Sequence, residues 1–332
     1  MPHSRHFTKL CISTFTLAAT LTLAGRANAQ LSLTPAGTLA GFTLSTFATG
    51  FATEGTVGPV GITFTTGGGV LVADYPGNLR LFAADVDNQT VAGKPFTFYG
   101  QHNAVGLAAV GSNYYMVQQG AGTVVRVNAD TSFGSTVTSG LSVPLGVVTN
   151  PVTGHLLASL NGSQKIVDIN PINGVTTDVI TGLSDVDGIS ISADGTVVYA
   201  AVRGSSKLQG YNIQSHALVF DAGVPNIDGT QVGYGSLSGF IFANLTNGNL
   251  LEIRLSDGLQ TTIANGGTRG DFVAADPNGS LLVTQTSMVQ RLTAPNGGGF
   301  SSTPEPGATG LLVASGLSGV GLLLRRLRKH SR

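Results

Sequence analysis

The sequence predicts an all-β fold: a six-bladed β-propeller closed by an N-terminal strand, with a separate C-terminal transmembrane helix. Three observations predict it. Of 332 residues only 10% are charged and 47 are glycine, against about 25% charged and about 7% glycine in an average soluble domain. With 42% hydrophobic residues the chain is too apolar for disorder, and its glycine disfavours long helices. The second observation is a repeat with a period near 41 residues, and the third is an echo of its last strand ahead of the first repeat.

Residues 1–29 read as a secretory signal peptide. His3, Arg5, His6 and Lys9 form the polar start, Leu10 to Ala24 the apolar stretch, and Ala27-Asn28-Ala29 the small-residue cleavage site. The single cysteine, Cys11, lies in that leader, so the mature chain has neither disulfide nor thiol chemistry. Net charge is zero only on average. The body, residues 31–303, carries nine basic and sixteen acidic residues, a net of −7. A mildly acidic body excludes a nucleic-acid binder.

The repeats span residues 30–295. Glycines 61, 106, 146, 188, 229 and 270 each open an apolar-alternating strand, at spacings of 45, 40, 42, 41 and 41 residues. A Gly/Asn/Asp turn follows each, such as Asp194-Gly195 or Asn278-Gly279, and then a buried strand, such as Val70–Ala73 or Phe240–Ala243. A third strand follows a polar turn (Leu79–Phe82, Leu250–Ile253), with the period-two patterning of hairpins. The fourth strand is marked by an echo: Thr136-Val137-Thr138-Ser139-Gly140-Leu141-Ser142 against Val179-Ile180-Thr181-Gly182-Leu183-Ser184. It recurs at Phe47-Ala48-Thr49-Gly50-Phe51-Ala52, before the first anchor, and nothing equivalent follows Leu292. Thr43–Thr49 is therefore expected to complete the last blade and close a monomeric ring that hides its sheet edges.

Residues 296–303, with Gly297-Gly298-Gly299, read as a flexible linker. The tail, residues 304–332, runs Pro304-Glu305-Pro306, then the uncharged stretch 307–324, then Arg325-Arg326-Leu327-Arg328-Lys329. Eighteen residues at about 1.5 Å rise make roughly 27 Å of helix, enough to span a bilayer. The basic end is expected on the cytoplasmic side.

This tail resembles the PEP-CTERM sorting domain of exported bacterial proteins, in the order and spacing of its three parts. The resemblance implies export, transient anchoring in the inner membrane, recognition by an exosortase, and a final place at the cell surface or outside the cell. It also implies a link to extracellular polysaccharide. The repeat pattern, which lacks tryptophan and hence a WD40 signature, resembles NHL-repeat and SMP-30/gluconolactonase propellers.

Residues just ahead of each inner strand crowd the mouth of a propeller's channel. Counting from the anchors puts Val60, Val105, Leu145, Asp187, Asp228 and Arg269 one step before, and Gly58, Asn103, Val143, Asp185, Asn226 and Gly267 two steps earlier. Half of this mouth is apolar. The other half offers Asp185, Asp187, Asn226, Asp228 and Arg269, with Asp271 just past its anchor. Converging carboxylates suit a hard cation such as Ca²⁺ or Mg²⁺, whereas Arg269 neutralises the same acids, and Asp beside Gly also simply caps turns. The gluconolactonase resemblance implies a divalent metal on Glu54, Asp187 and Asp228. In that family the glutamate adjoins its anchor, whereas Glu54 precedes Gly61 by seven residues.

Two functions follow. One is a non-enzymatic surface or matrix propeller that binds a glycan or envelope partner through residues such as Asn103, Asn226, Arg269 and Asp271. The other is a metal-dependent lactonase-like hydrolase with Asp185 or His102 as base. Streptogramin-lyase-like chemistry needs a paired histidine and acid at the mouth. Of His102, His155 and His216, only His102 is placed for it.

Overall fold

The structure, a computed structural model, describes residues 29–300. Six antiparallel sheets follow one another along the chain, each with four strands at its heart. The first blade is Pro59–Phe64, Val70–Asp74, Asn78–Phe82 and Phe96–Phe98, from axis to rim. The inner strands of the next five are Leu107–Val110, Pro144–Thr149, Val186–Ile191, Ile227–Val232 and Val273–Ala275. Blades pack face to face through apolar side chains of the alternating pattern, so Leu71, Met116 and Val147 share one core. Tyr114 and Tyr115 are buried there, and Phe242 is buried in a separate core with Leu281 and Phe300, as their strand positions suggest.

The anchor glycines are needed because the inner strands nearly touch. A Cβ on Gly61 would lie 1.9 Å from the Val105 carbonyl oxygen, and one on Gly229 would lie 2.1 Å from that of Asp271. The same contact links Gly106 to Leu145, Gly146 to Asp187 and Gly188 to Asp228. This ladder corrects the sixth anchor. The residue after Asp271 is Phe272, so the sixth inner strand is aligned on Phe272 rather than Gly270. Asp271, not Arg269, is the equivalent of Asp187 and Asp228. The glycine two residues upstream hides the offset because it, too, lacks space: its Cβ would meet Asn244.

The ring closes as the echo predicts. Thr43–Thr49 pairs antiparallel with Met288–Thr293, from Thr43 against Thr293 to Thr49 against Met288. A register shift between Thr46 and Ala48 accommodates Phe47, which is fully buried. Two additions reinforce the seam. Ser32–Leu33 extends the fifth blade beside Gln260–Asn265. Gln89–Thr90, from an excursion of the first blade, lies parallel to Ala48 and Thr49 on the sixth. Arg291 of the sixth blade fastens that excursion, bonding Asp85, Asp87 at 2.8 Å, and Asp276 of its own sheet.

We call upper the face on which inner strands begin. It carries the loops into the inner strands and the turns from second to third strands. The lower face carries the other two sets of turns. The chain leaves on the lower face, later than the glycine run suggests. Pro295–Gly297 forms a short turn, and Phe300 is fully buried, edge-on to Phe242 at 4.8 Å. Gly299 allows that packing, since a Cβ there would meet Leu237 at 2.7 Å. The cleavage site at Ala27, the Pro304-Glu305-Pro306 motif, the stretch 307–324 and Arg325-Arg326 lie outside the described residues. No helix among the described residues is long and apolar enough to cross a membrane.

Candidate functional site

The upper mouth is assembled from two repeated loop positions. The first residue after the second strand, or in blade two the second, donates its N–H to a carbonyl in the loop ahead of the inner strand: Tyr75 to Gly58, Gly120 to His102, Asn161 to Val143, Arg203 to Asp185 and Thr246 to Asn226. The accepting residues His102, Val143, Asp185 and Asn226 all have φ between 51° and 63°. That left-handed conformation suits Asp, Asn and His but strains a β-branched valine. Arg203 and Tyr75 are therefore the same repeat position in two blades. Reading only ahead of the inner strands overlooks both. Their shared signal is the first residue past the second strand.

At the centre three carboxylates meet two guanidinium groups. Asp187, Asp228 and Asp271 are 5%, 1% and 4% exposed. Arg203 bonds Asp187 at 2.7 Å and Asp185 at 2.8 Å, and lies 3.7 Å from Asp228. Arg269 bonds both Asp228 and Asp271 at 2.7 Å. Asp271 keeps one carboxylate oxygen, Oδ2, buried and without a hydrogen-bond partner. Burial raises all three acids. Asp187 rises to about 6. Asp228 goes well above the usual range, pushed first by burial and then by Asp187 and Asp271. Burial works against the Arg203 charge, but Asp187, Asp185 and Asp228 outweigh it and hold its pKa above the usual value.

On the first-blade side, His102 Nε2 lies 2.9 Å from Glu54 Oε2, and its ring stacks on Tyr75 at 4.3 Å. Bonds from Gln101 and His102 hold Glu54 below its ordinary pKa. This is a half-exposed histidine–carboxylate pair at the mouth, able to exchange a proton with a bound hydroxyl. Nothing in sequence order announces it, because the two residues are 48 apart. Asp185 is held by Asn161 and Arg203. Asn103 is engaged locally, accepting from the Ala121 N–H at 2.9 Å. Asn226 is exposed on the rim. His155 pairs with Asp168 far from the mouth.

Glu54, Asp187 and Asp228 are not brought to one point: the first faces His102, the others face arginines. Among the described residues no three His, Cys, Asp or Glu side chains are grouped to hold a metal ion. The guanidinium groups stand where a cation would sit, so this donor set does not fit Ca²⁺ or Mg²⁺. Below the ionic cluster the channel wall is mixed, with Thr63, Ser190 and Gln231 set among apolar side chains. A cavity of about 330 Å³, lined by Ile62, Phe64, Ala108, Val148, Ile191 and Phe272, reaches the lower face beside Phe300.

The raised acids predict the sign of the pH dependence. An acid whose pKa is higher folded than unfolded costs stability above its folded value, and the cost vanishes below its unfolded one. Asp187 and Asp276 are both raised to about 6. Stability should therefore fall as pH climbs from about 4 to above 6. Differential scanning calorimetry should give a higher Tm near pH 5 than near pH 7.5, with the gap narrowed in Asp228→Asn. A Tm that rises over this range would contradict the assignment.

No protein-family model and no curated protein matches the chain. Solved structures do. A putative gluconolactonase superimposes with a TM-score of 0.64 at 14% identity, covering 82% of this chain and 100% of that one. The two rings share one fold. A gluconolactonase from Xanthomonas campestris gives a TM-score of 0.60 at 16% identity, over 80% and 95%. Virginiamycin B lyase from Staphylococcus aureus gives 0.54 at 12%, over 76% and 99%. At such identities the likeness is one of fold, and fold alone does not carry function across.

Proposed function

We propose that the protein is an exported, exosortase-sorted binding module of the cell surface or extracellular matrix, whose upper mouth holds a hydroxyl-rich ligand such as an exopolysaccharide segment. One observation carries the binding reading. The buried acids Asp187, Asp228 and Asp271 are paired with Arg203 and Arg269, so the floor of the mouth is a fixed ionic lattice with no room for a further cation. What remains open is the rim: Asp185, Asn226, Gln101, and the Tyr75–His102 stack with Glu54. Flat aromatic surface beside amide and carboxylate acceptors suits sugar hydroxyls. Export and sorting are supported by the leader and by the order of the tail's three parts.

The test is a glycan array probed with the mature chain, comparing neutral with acidic oligosaccharides. Binding is expected, and Tyr75→Ala and Asp185→Ala should each weaken it by about tenfold or more, with Tm measured alongside to show that each variant remains folded at the assay temperature. Silence across the array, or binding indifferent to both substitutions, would overturn the reading. The alternative, a metal-dependent lactonase-like hydrolase, draws on the shared fold. It requires a cation that the arginines at present exclude.

A further inference from the structure

We infer that the lower face of the propeller rests on a lipid bilayer. The inference builds on reading 307–324 as a membrane segment. The described chain ends on this face at Phe300, and only six residues separate it from Gly307. Six residues reach at most about 20 Å, so the lower face cannot stand far from the membrane that holds the tail.

The independent observation is where the exposed apolar side chains lie. Phe133, Val175, Leu218 and Leu259 take the same place in blades two to five, where the chain turns on the lower face into the outer strand. They are 49–59% exposed, while Val152 and Ile172, at the tips of lower turns, are 72% and 94% exposed. Among the described residues one large hydrophobic side chain of comparable exposure stands at the upper edge: Phe98, 63% exposed at the end of the first blade's outer strand, beside Asn78. Single exposed hydrophobics such as Phe98 are ordinary, but a set repeated at one position in four successive blades around one rim is not. Asp130, Asp194 and Asp257 occupy neighbouring lower turns, Asp257 being paired with Arg254. The contact is therefore apolar rather than electrostatic, with the side chains entering the interfacial layer. It would present the upper mouth outward, away from the membrane.

The mature chain lacks cysteine, so single cysteines can be labelled cleanly. The full mature chain, with its tail, would carry an environment-sensitive dye at Ile172→Cys or, on the upper face, at Thr56→Cys. It is mixed with phosphatidylcholine vesicles containing nitroxide-labelled lipid. The expected result is several-fold stronger quenching at position 172 than at 56, unchanged by added salt. Flotation with the vesicles but equal quenching would overturn the docking while leaving the anchored tail standing. Failure to float would overturn both. Shielding at position 172 that grows with protein concentration in the absence of lipid would mean that a second copy covers the face, and would also overturn it.

Discussion

Arg291→Met is expected to cost about 3–5 kcal/mol, the loss seen when one partner of a buried ion pair is removed. The guanidinium is 8% exposed and serves Asp85, Asp87 and Asp276, of which Asp276 is 2% exposed. Methionine fills the volume but leaves Asp276 without its counter-charge and frees the first-blade excursion from the seam. For a domain of this size the loss is on the order of 10 °C in Tm. Burial already raises Asp276 to about 6, so the deficit should be larger near pH 7.5 than near pH 5. Thermal scans at both values read it. A change of a degree or less at both would mean that Thr43–Thr49 holds the ring without the clasp.

The other large effect is expected at the mouth. Arg203→Ala combined with Arg269→Ala leaves Asp187, Asp228 and Asp271 buried together with no cation. Like charges in a desolvated site cannot all ionise, so the variant should lose about 3–5 kcal/mol near pH 7.5 and recover much of it near pH 5. Calcium at millimolar concentration should also restore it, since the vacated space would then suit an ion that takes about 6–8 oxygen ligands. Calcium scans near both pH values make the test robust to poor folding at one of them. A double variant as stable as the parent, or one indifferent to both protons and calcium, would show that the arginines do not neutralise the acids.

Much of this was legible in the sequence because propellers repeat. The fixed spacing of the anchors located the blades, and the recurrence of Phe47-Ala48-Thr49-Gly50 ahead of the first repeat located the closing strand. The alignment failed at the sixth blade, where Phe272 replaces a glycine and Gly270, nearby for a different steric reason, imitates the anchor. Arg203 was hidden because it approaches the mouth from the end of a second strand, so only three-dimensional closure puts it against Asp187. The Glu54–His102 pair was invisible for the same reason: it joins loops that flank the whole first blade. Phe300 shows the limit of composition. Three glycines ahead of it read as a tether, yet Gly299 is there to let a phenylalanine pack.

Isothermal titration of Ca²⁺ and Mn²⁺ into the mature, full-length chain tests most directly whether Arg203 and Arg269 hold the place of a cation at the mouth. No saturable heat is predicted for either ion. A single site of micromolar Kd that disappears in Asp187→Asn would contradict the account, because the acids would then be ligands and the arginines their neighbours.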